Sequence, residues 1–384
     1  MKKFKLLYLT LGLISLGLVG CQKQELQVAT PEKEVVTAKD KAVLAVVDLL
    51  NQQINNESII GELTSNPLGQ KLDYLVSNLK QTSGSEQAIQ TLRDYVASTN
   101  EVNKLSEKTG YLEIPELWLY QPKVKTGSSE ILVTYVPDGN EKSWKNIKAY
   151  NLKKEVVYLD VKNEPNVRVI VLETNGSAAM KVKVDYMNKA LQKAGLQSPD
   201  LPRKRISAKA AGIETTKLTK IRLNNDQEPW IKGAAEIYAI TSGLRDVSGT
   251  KTAQITIVDM PYLDYDGTDY YPNQLMLFWP DYSYQAANIQ LYEQDSNYNY
   301  QQLIVIIING VTTVAGTISA QPWINALGTL ASAIVNAMPA DWLTDSDDYV
   351  DSYYTIMKNT TYTDYMGAGA NAKVTLVPFF VPAN

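Results

Sequence analysis

Ala234-Ala-Glu-Ile-Tyr-Ala-Ile-Thr-Ser242 and Thr252-Ala-Gln-Ile-Thr-Ile-Val258 decide the reading of this chain. Both are short runs dense in β-branched and aromatic residues, the composition of strands. Five further runs in the same half have this character: Leu218–Leu223, Gln274–Trp279, Asn288–Tyr292, Tyr349–Met357 and Lys373–Val381. For that number of strands a β-sandwich is the economical architecture. Between the fifth and sixth lies Leu303–Leu343, apolar, rich in Ala and Gly and interrupted by Gln321-Pro322. It predicts a helical hairpin inserted into the sandwich. A membrane hairpin is the alternative, but Asn309, Thr312, Thr313, Gln321 and Asn325 punctuate the segment too often for a comfortable span.

Upstream, Ser198-Pro-Asp-Leu-Pro-Arg-Lys-Arg205 has two prolines, a basic cluster and no periodicity. Residues 198–211 therefore read as a linker between a first domain at 39–197 and a second at 212–384. The first domain opens with helical stripes: Ala42 to Leu50, then Leu68, Leu72, Leu75, Val76 and Leu79, then Ile89, Leu92, Tyr95 and Val96. Short β-rich runs follow at Glu113–Tyr120, Glu130–Val136, Lys145–Tyr150, Glu155–Asp160 and Val167–Glu173, separated by turn signals such as Pro137-Asp-Gly-Asn140. A helix over Ala178–Ala194 ends at Gly195. The expected fold is α+β: an N-terminal helical cap and small α/β domain, then a β-sandwich-like domain carrying the helical insertion at about 303–343.

The N-terminus carries a different message. Lys2, Lys3 and Lys5 precede an apolar run from Leu6 to Val19, and Leu18-Val-Gly-Cys21 follows. That is the plan of a secretory signal, and the last four residues resemble a bacterial lipobox. The resemblance implies cleavage after residue 20, a lipid on Cys21, and a membrane partner reached through that lipid. Residues 21–38 read as a polar tether. Gln22-Lys-Gln-Glu25 is similar to tags that send lipoproteins outward, so the expected location is the outer membrane or cell surface, lipid-anchored.

Composition narrows the chemistry. The chain has no histidine, and Cys21 is its one cysteine. Ser-His-Asp and Cys-His catalysis, disulfides, and zinc sites built from His or Cys are all excluded. Carboxylates, Lys, Tyr, Ser and Thr remain as reactive groups, and oxygen ligands suit hard cations. Without residues 1–20 the chain holds 34 basic and 41 acidic residues, a net of −7. That argues against a nucleic-acid partner. The charge is segregated: Gly212 onward holds 8 basic and 18 acidic residues, and no Lys or Arg occurs from Thr252 to Met357.

Within that stretch two runs have ligand-like spacing. Glu293-Gln-Asp295-Ser-Asn297 places oxygens at alternate positions, and Asp345-Ser-Asp347-Asp348 adds three carboxylates in four residues. Alternating Asp and Asn oxygens wrap calcium in many loops, although neither run is an EF-hand. The bland alternative is a solvated acidic loop tip. Asp226 and Glu228, with Glu236 eight residues further on, bring more oxygens towards the same place. Glu236 sits among strand residues, where a carboxylate either faces solvent or binds something.

Glu228-Pro-Trp-Ile-Lys-Gly-Ala-Ala-Glu-Ile-Tyr-Ala-Ile240, Tyr271-Pro-Asn-Gln274, Leu291-Tyr-Glu-Gln-Asp295 and Asp347-Asp-Tyr-Val-Asp-Ser-Tyr-Tyr-Thr-Ile356 resemble a family of exported bacterial proteins known only as a domain of unknown function. Pro115-Glu-Leu-Trp118 and Val136-Pro-Asp-Gly-Asn140 are similar to its first half. The resemblance covers about 111–384 and implies secretion and a two-part architecture, but no activity. Ser77-Asn-Leu-Lys80 matches S-x-x-K, and Lys108-Thr-Gly110 and Lys125-Thr-Gly127 match K-T-G. They stand too close together to build the enzyme that uses these motifs.

The expectation is a surface-anchored lipoprotein without enzymatic activity. Its β-sandwich, stabilised structurally by calcium, would bind an extracellular polysaccharide or protein. The alternative is a histidine-free glycoside hydrolase using two carboxylates, such as Glu228 and Glu236 facing each other in a cleft.

Overall fold

The stripe from Ala42 to Leu50 is the buried face of α1 (Ala38–Leu50). Its start is a capping box: the Thr37 hydroxyl accepts from the Asp40 N–H, and Asp40 Oδ2 accepts from the Thr37 N–H. The computed structural model describes residues 36–109, 112–123, 130–139, 141–198, 212–225, 229–233, 236–263, 266–293, 299–338 and 349–382. The expected signal, most of the tether, Cys21 and residues 199–211 of the expected linker lie outside them.

After α1 come α2 (Gln53–Ser65), the two-residue β1 (Gln70–Lys71), α3 (Leu72–Asn78) and α4 (Glu86–Thr109). The strands β2 (Glu116–Tyr120), β3 (Ile131–Tyr135), β4 (Asn146–Tyr150), β5 (Val156–Asp160) and β6 (Arg168–Glu173) follow. With β1 they form one sheet in the order β1-β2-β6-β3-β4-β5, antiparallel except for β3 and β6. The helices cover one face, burying Leu117, Leu119, Val133 and Ile170 against α1 to α4. Asp40 fastens α1 to that sheet, its Oδ1 accepting from the Tyr150 hydroxyl at 2.7 Å and meeting Lys148 Nζ at 3.2 Å. Burial alone would raise its pKa, but these donors and the Thr37 N–H hold it below the ordinary value.

α5 (Ser177–Lys193) leads out of this half. The second half contains β7 (Ile213–Leu223), β8 (Ile237–Val247), β9 (Thr250–Asp259), β10 (Gln274–Phe278), β11 (Ala286–Glu293), α6 (Tyr300–Thr313), α7 (Ala315–Ala320), α8 (Trp323–Ala337), β12 (Tyr349–Met357), β13 (Tyr362–Met366) and β14 (Ala372–Val381). Two antiparallel four-stranded sheets result, β10-β7-β14-β13 and β12-β11-β8-β9. Their facing sides share a core that includes Leu218, Ile221, Met276, Ile289, Tyr353 and Leu376. This is the expected sandwich, and the hairpin is α6 to α8. Among the described residues no helix is long and apolar enough to cross a membrane.

The hairpin forms a third layer. It covers the far side of the β12-β11-β8-β9 sheet, burying Ile240, Ile255, Ile257 and Tyr292 beneath Ile304, Ile307, Leu330 and Ile334. Every residue of β11 is consequently buried, on both faces. α5 belongs to this layer as well. Met180, Val184, Met187 and Leu191 share its core, and the Leu196 carbonyl accepts from the Ile255 N–H at 2.8 Å. The core of the second half therefore reaches back before residue 198. In the other direction, a single 3-10 turn at Trp230–Lys232 docks on the bare face of the first sheet: Ile231 joins its core, and Trp230 packs edge-on to Tyr120 at 5.2 Å.

Candidate functional site

A charged cavity, open on one side, lies where these reciprocal insertions meet. Glu116 opens β2 and Glu173 closes β6, and the antiparallel register sets them directly opposite each other. Opposed residues share a face, here the face that carries Trp118. The chain then turns at Gly176 into α5, whose Ala178 N–H donates to Glu116 Oε2 at 3.3 Å. A Cβ at Gly176 would lie 2.1 Å from Glu116 Oε1 and 2.9 Å from Glu173 Oε2, so only glycine fits. The two carboxylate oxygens are therefore within about 5 Å of each other, a spacing that favours protonation of one of them. Burial pushes the Glu116 pKa up to about 7, against the opposing pull of the Ala178 N–H and Lys71.

Lys183 occupies a stripe position on α5, one turn from Met180 and Met187, and is buried. It donates to Asn175 Oδ1. Burial pulls its pKa down to about 8, with Lys232 adding and Glu236, Glu173 and Glu113 opposing. Lys232, also buried, is paired with Glu141 at 3.0 Å. Glu236, the residue before β8, is buried too. Five carboxylates, Glu113, Glu116, Glu141, Glu173 and Glu236, thus accompany three ammonium groups, Lys71, Lys183 and Lys232.

Trp118 lies against Gly233, whose φ of +76° already demands glycine; a Cβ there would come within 3.0 Å of the indole. The Trp118 side chain is buried at 7% exposure, and its Nε1–H has no hydrogen-bond partner. Glu116, Trp118, Glu173, Ser177, Lys232 and Glu236 line a cavity of about 210 Å³. Its wall also includes the exposed Leu68 and Gln121.

Of the residues expected to bind, Glu236 lies on this cavity. Glu293 is buried at the end of β11, opposite Ile237. Asp226, Glu228, Asp295, Asn297, Asp345, Asp347 and Asp348 lie outside the described residues. The strand ends that flank two of these segments are neighbours: β11 closes at Glu293, β12 opens at Tyr349, and Tyr292 pairs with Tyr349. Asp226 and Glu228 follow β7, which ends at Leu223 in the other sheet. Among the described residues no group of three or more carboxylates could hold a metal ion. Asp351, another acidic residue of the stretch without Lys or Arg, is structural. Fully buried, it accepts from the N–H groups of Gly369, Asn371 and Ala372 at 2.6, 2.9 and 2.6 Å, pinning the β13–β14 turn.

Glu116, Glu173, Lys183 and Lys232 were not legible as a group in the sequence, because their partners are distant in the chain. Two local signals mark them: a lysine on the apolar stripe of α5, and a glutamate immediately before Leu117-Trp-Leu-Tyr120.

The fold and the cavity define a three-layer α+β protein with a charged chamber between its halves. The chain belongs to the family described as protein of unknown function (DUF3103), whose model matches residues 40–383. The match extends the resemblance back through the helical cap. Pro115-Glu-Leu-Trp118 and Glu228 to Ile240, two of the stretches that carry the resemblance, both contribute to the cavity. No curated protein and no solved structure matches the chain.

Proposed function

We propose that this is a lipid-anchored protein of the bacterial outer membrane or cell surface that binds a ligand rather than transforming one, with the chamber between its halves as the binding site. One observation carries the reading: Trp118, whose buried Nε1–H has no partner, lines a cavity rich in buried charge. A buried donor without a partner costs stability, and perturbed ionisable groups cluster at functional sites. The anchor rests on the Leu18-Val-Gly-Cys21 motif, and the negative net charge disfavours nucleic acid.

Calcium is proposed as a structural ion of the acidic segments. Support comes from the pairing of the strand ends at Tyr292 and Tyr349, between which the segments of Asp295 and of Asp345 to Asp348 lie in the chain, and from the lack of Lys or Arg between Thr252 and Met357. The test of the binding reading is calorimetric titration of envelope-derived saccharides and peptides into wild type, Glu116→Gln and Trp118→Phe. A binder should lose at least about tenfold in affinity, or about 1.4 kcal/mol, in either variant. Binders indifferent to both substitutions would place the site elsewhere.

A second reading is favoured by Glu116 and Glu173 as two buried carboxylates set directly opposite each other on β2 and β6, since glycosidases work with a pair of facing carboxyl groups. Glu116, with its raised pKa, would be the proton donor and Glu173 the nucleophile. Release of nitrophenol from a panel of aryl glycosides, abolished in Glu173→Gln, would establish it. No release from any substrate would remove it.

A further inference from the structure

We infer that Lys183 and Asn175 join covalently, the lysine amine displacing ammonia from the carboxamide to leave an isopeptide bond across the start of α5. The inference is independent of the chamber being a ligand site. It rests on three groups that the fold brings together. The first is the amine. Lys183 is 2% exposed, its Nζ touches Asn175 Oδ1, and among the described residues no carboxylate stands within ion-pair reach of it. A buried lysine without an ion pair releases its proton easily, and the neutral amine is a nucleophile. Burial is the main cause of its pKa of about 8; Lys232 adds to the fall, and Glu236, Glu173 and Glu113 oppose it. In the unreacted protein it titrates as a free amine. The second group is the carboxamide. Asn175 lies two residues before α5, and a helical side chain leans towards the helix N-terminus, which carries the Lys183 stem to it. The third is a carboxyl group. Glu116 Oε1 lies against Gly176, the residue after Asn175, with Glu173 Oε2 beside it. Burial raises the Glu116 pKa to about 7, against the N–H groups of Ala178 and Ser177 and the charge of Lys71, so at neutral pH part of the population holds a proton to lend.

The reaction balances without an oxidant or a co-reactant. The hydrogen bond holds Nζ at the edge of the carbonyl, and the soft terminal torsion of asparagine turns the face of Cγ towards it. The lone pair of Nζ then forms the Cγ–Nζ bond while Glu116 lends its proton to Oδ1. The Cγ–Nδ2 bond breaks, Nδ2 leaves as ammonia with one proton taken from Nζ, and the proton on Oδ1 returns to Glu116. The bond would act as a staple. A disulfide is closed to this chain, whose one cysteine is Cys21. Asn175 follows β6 of the first sheet, whereas Met180, Val184 and Met187 of α5 lie in the core of the second half. The link therefore clamps the chain where it passes from one half to the other.

The experiment is tryptic mapping by mass spectrometry of the full, detergent-solubilised protein, held folded between pH 7 and 8, the interval between the two pKa values, and then denatured for digestion. An acylated Lys183 resists trypsin. The wild type should therefore yield Val169–Lys181 joined to Val182–Lys189, lighter than the two peptides together by one ammonia. Lys183→Arg and Asn175→Ser should each abolish the joined pair, and Glu116→Gln should slow its formation at least about tenfold. Circular dichroism confirms that the variants are folded, and the wild-type map decides the question even where one is not. Recovery of Val184–Lys189 alone, with an intact Asn175 in Val169–Lys181, would overturn the inference. Loss of ammonia that leaves Lys183 open to trypsin and yields to hydroxylamine would overturn it too, since that marks a succinimide at Asn175-Gly176. An unchanged rate in Glu116→Gln would overturn the role given to Glu116.

Discussion

Replacing Glu116 by Gln should stabilise the protein, and the gain should depend on pH. The carboxyl is buried, and its pKa stands at about 7 against an ordinary 4.5. A carboxylate raised in the folded state gives stability that is complete below its unfolded pKa and lost as pH rises through the folded one. The difference of about 2.5 units, at about 1.4 kcal/mol each, is a loss of about 3 kcal/mol by pH 8. Glutamine keeps the shape and an oxygen to accept the Ala178 N–H, but carries no charge to bury. Urea denaturation of wild type and Glu116→Gln should therefore give equal midpoints at pH 4.5. At pH 8 the variant should be the more stable by up to about 3 kcal/mol. Lys183 acts in the opposite sense. Its lowered pKa means that stability rises from about pH 8 upwards, so the wild type should be least stable between pH 7 and 8. A variant destabilised by the same amount at both pH values would show that Glu116 is a satisfied structural ion, and would refute the account of the chamber as a site held at a cost in stability.

Three further outcomes follow from the proposals and the packing. Cys21→Ser should leave the precursor uncut and without lipid, as read by mass and detergent partitioning; a lipid on the mutant would contradict the lipobox reading. Millimolar calcium at constant ionic strength should raise the melting temperature by a few degrees, corresponding to about 2.7 kcal/mol at a hundredfold excess over Kd, and Asp347→Asn with Asp348→Asn should abolish the rise. Equal effects of sodium, magnesium and calcium would indicate screening of solvated charge instead. Trypsin should cut first near Arg203-Lys-Arg205, yet the two fragments should co-elute, because α5 lies in the core of the second half; separation without denaturant would contradict that shared core.

Much of the fold was legible because hydrophobic spacing reports it. The strands β2 to β6 of the first sheet and the helical hairpin fall close to where their apolar runs placed them, whereas β1 lies inside an expected helical stripe. The omissions have physical reasons. α2 carries few buried residues, Asn55, Ile59 and Leu63, and so shows little stripe. β13 is an edge strand with a largely exposed, polar sequence, Tyr362-Thr-Asp-Tyr-Met366. β7 begins at Ile213 rather than Leu218, because Glu214-Thr-Thr-Lys217 owes its place to pairing with β14 rather than to apolarity. The chamber was the least legible part. Glu236 could be singled out as a carboxylate among strand residues. Its company could not, because register joins Glu116 to Glu173 and packing brings α5 and the 3-10 turn to both. The acidic segments were legible as chemistry, and only the register of β11 and β12 reveals that the two after Glu293 and before Tyr349 adjoin neighbouring strand ends.

The most direct test of the central claim is the amide and indole NMR spectrum of the full protein during ligand screening, with the Trp118 indole N–H assigned by its loss in Trp118→Phe. The account predicts that binders shift this resonance, which has no protein partner in the free state, and that Glu116→Gln removes the shift. An indole signal that no binder moves, in a protein whose binders shift resonances elsewhere, would contradict the claim that the chamber is the binding site.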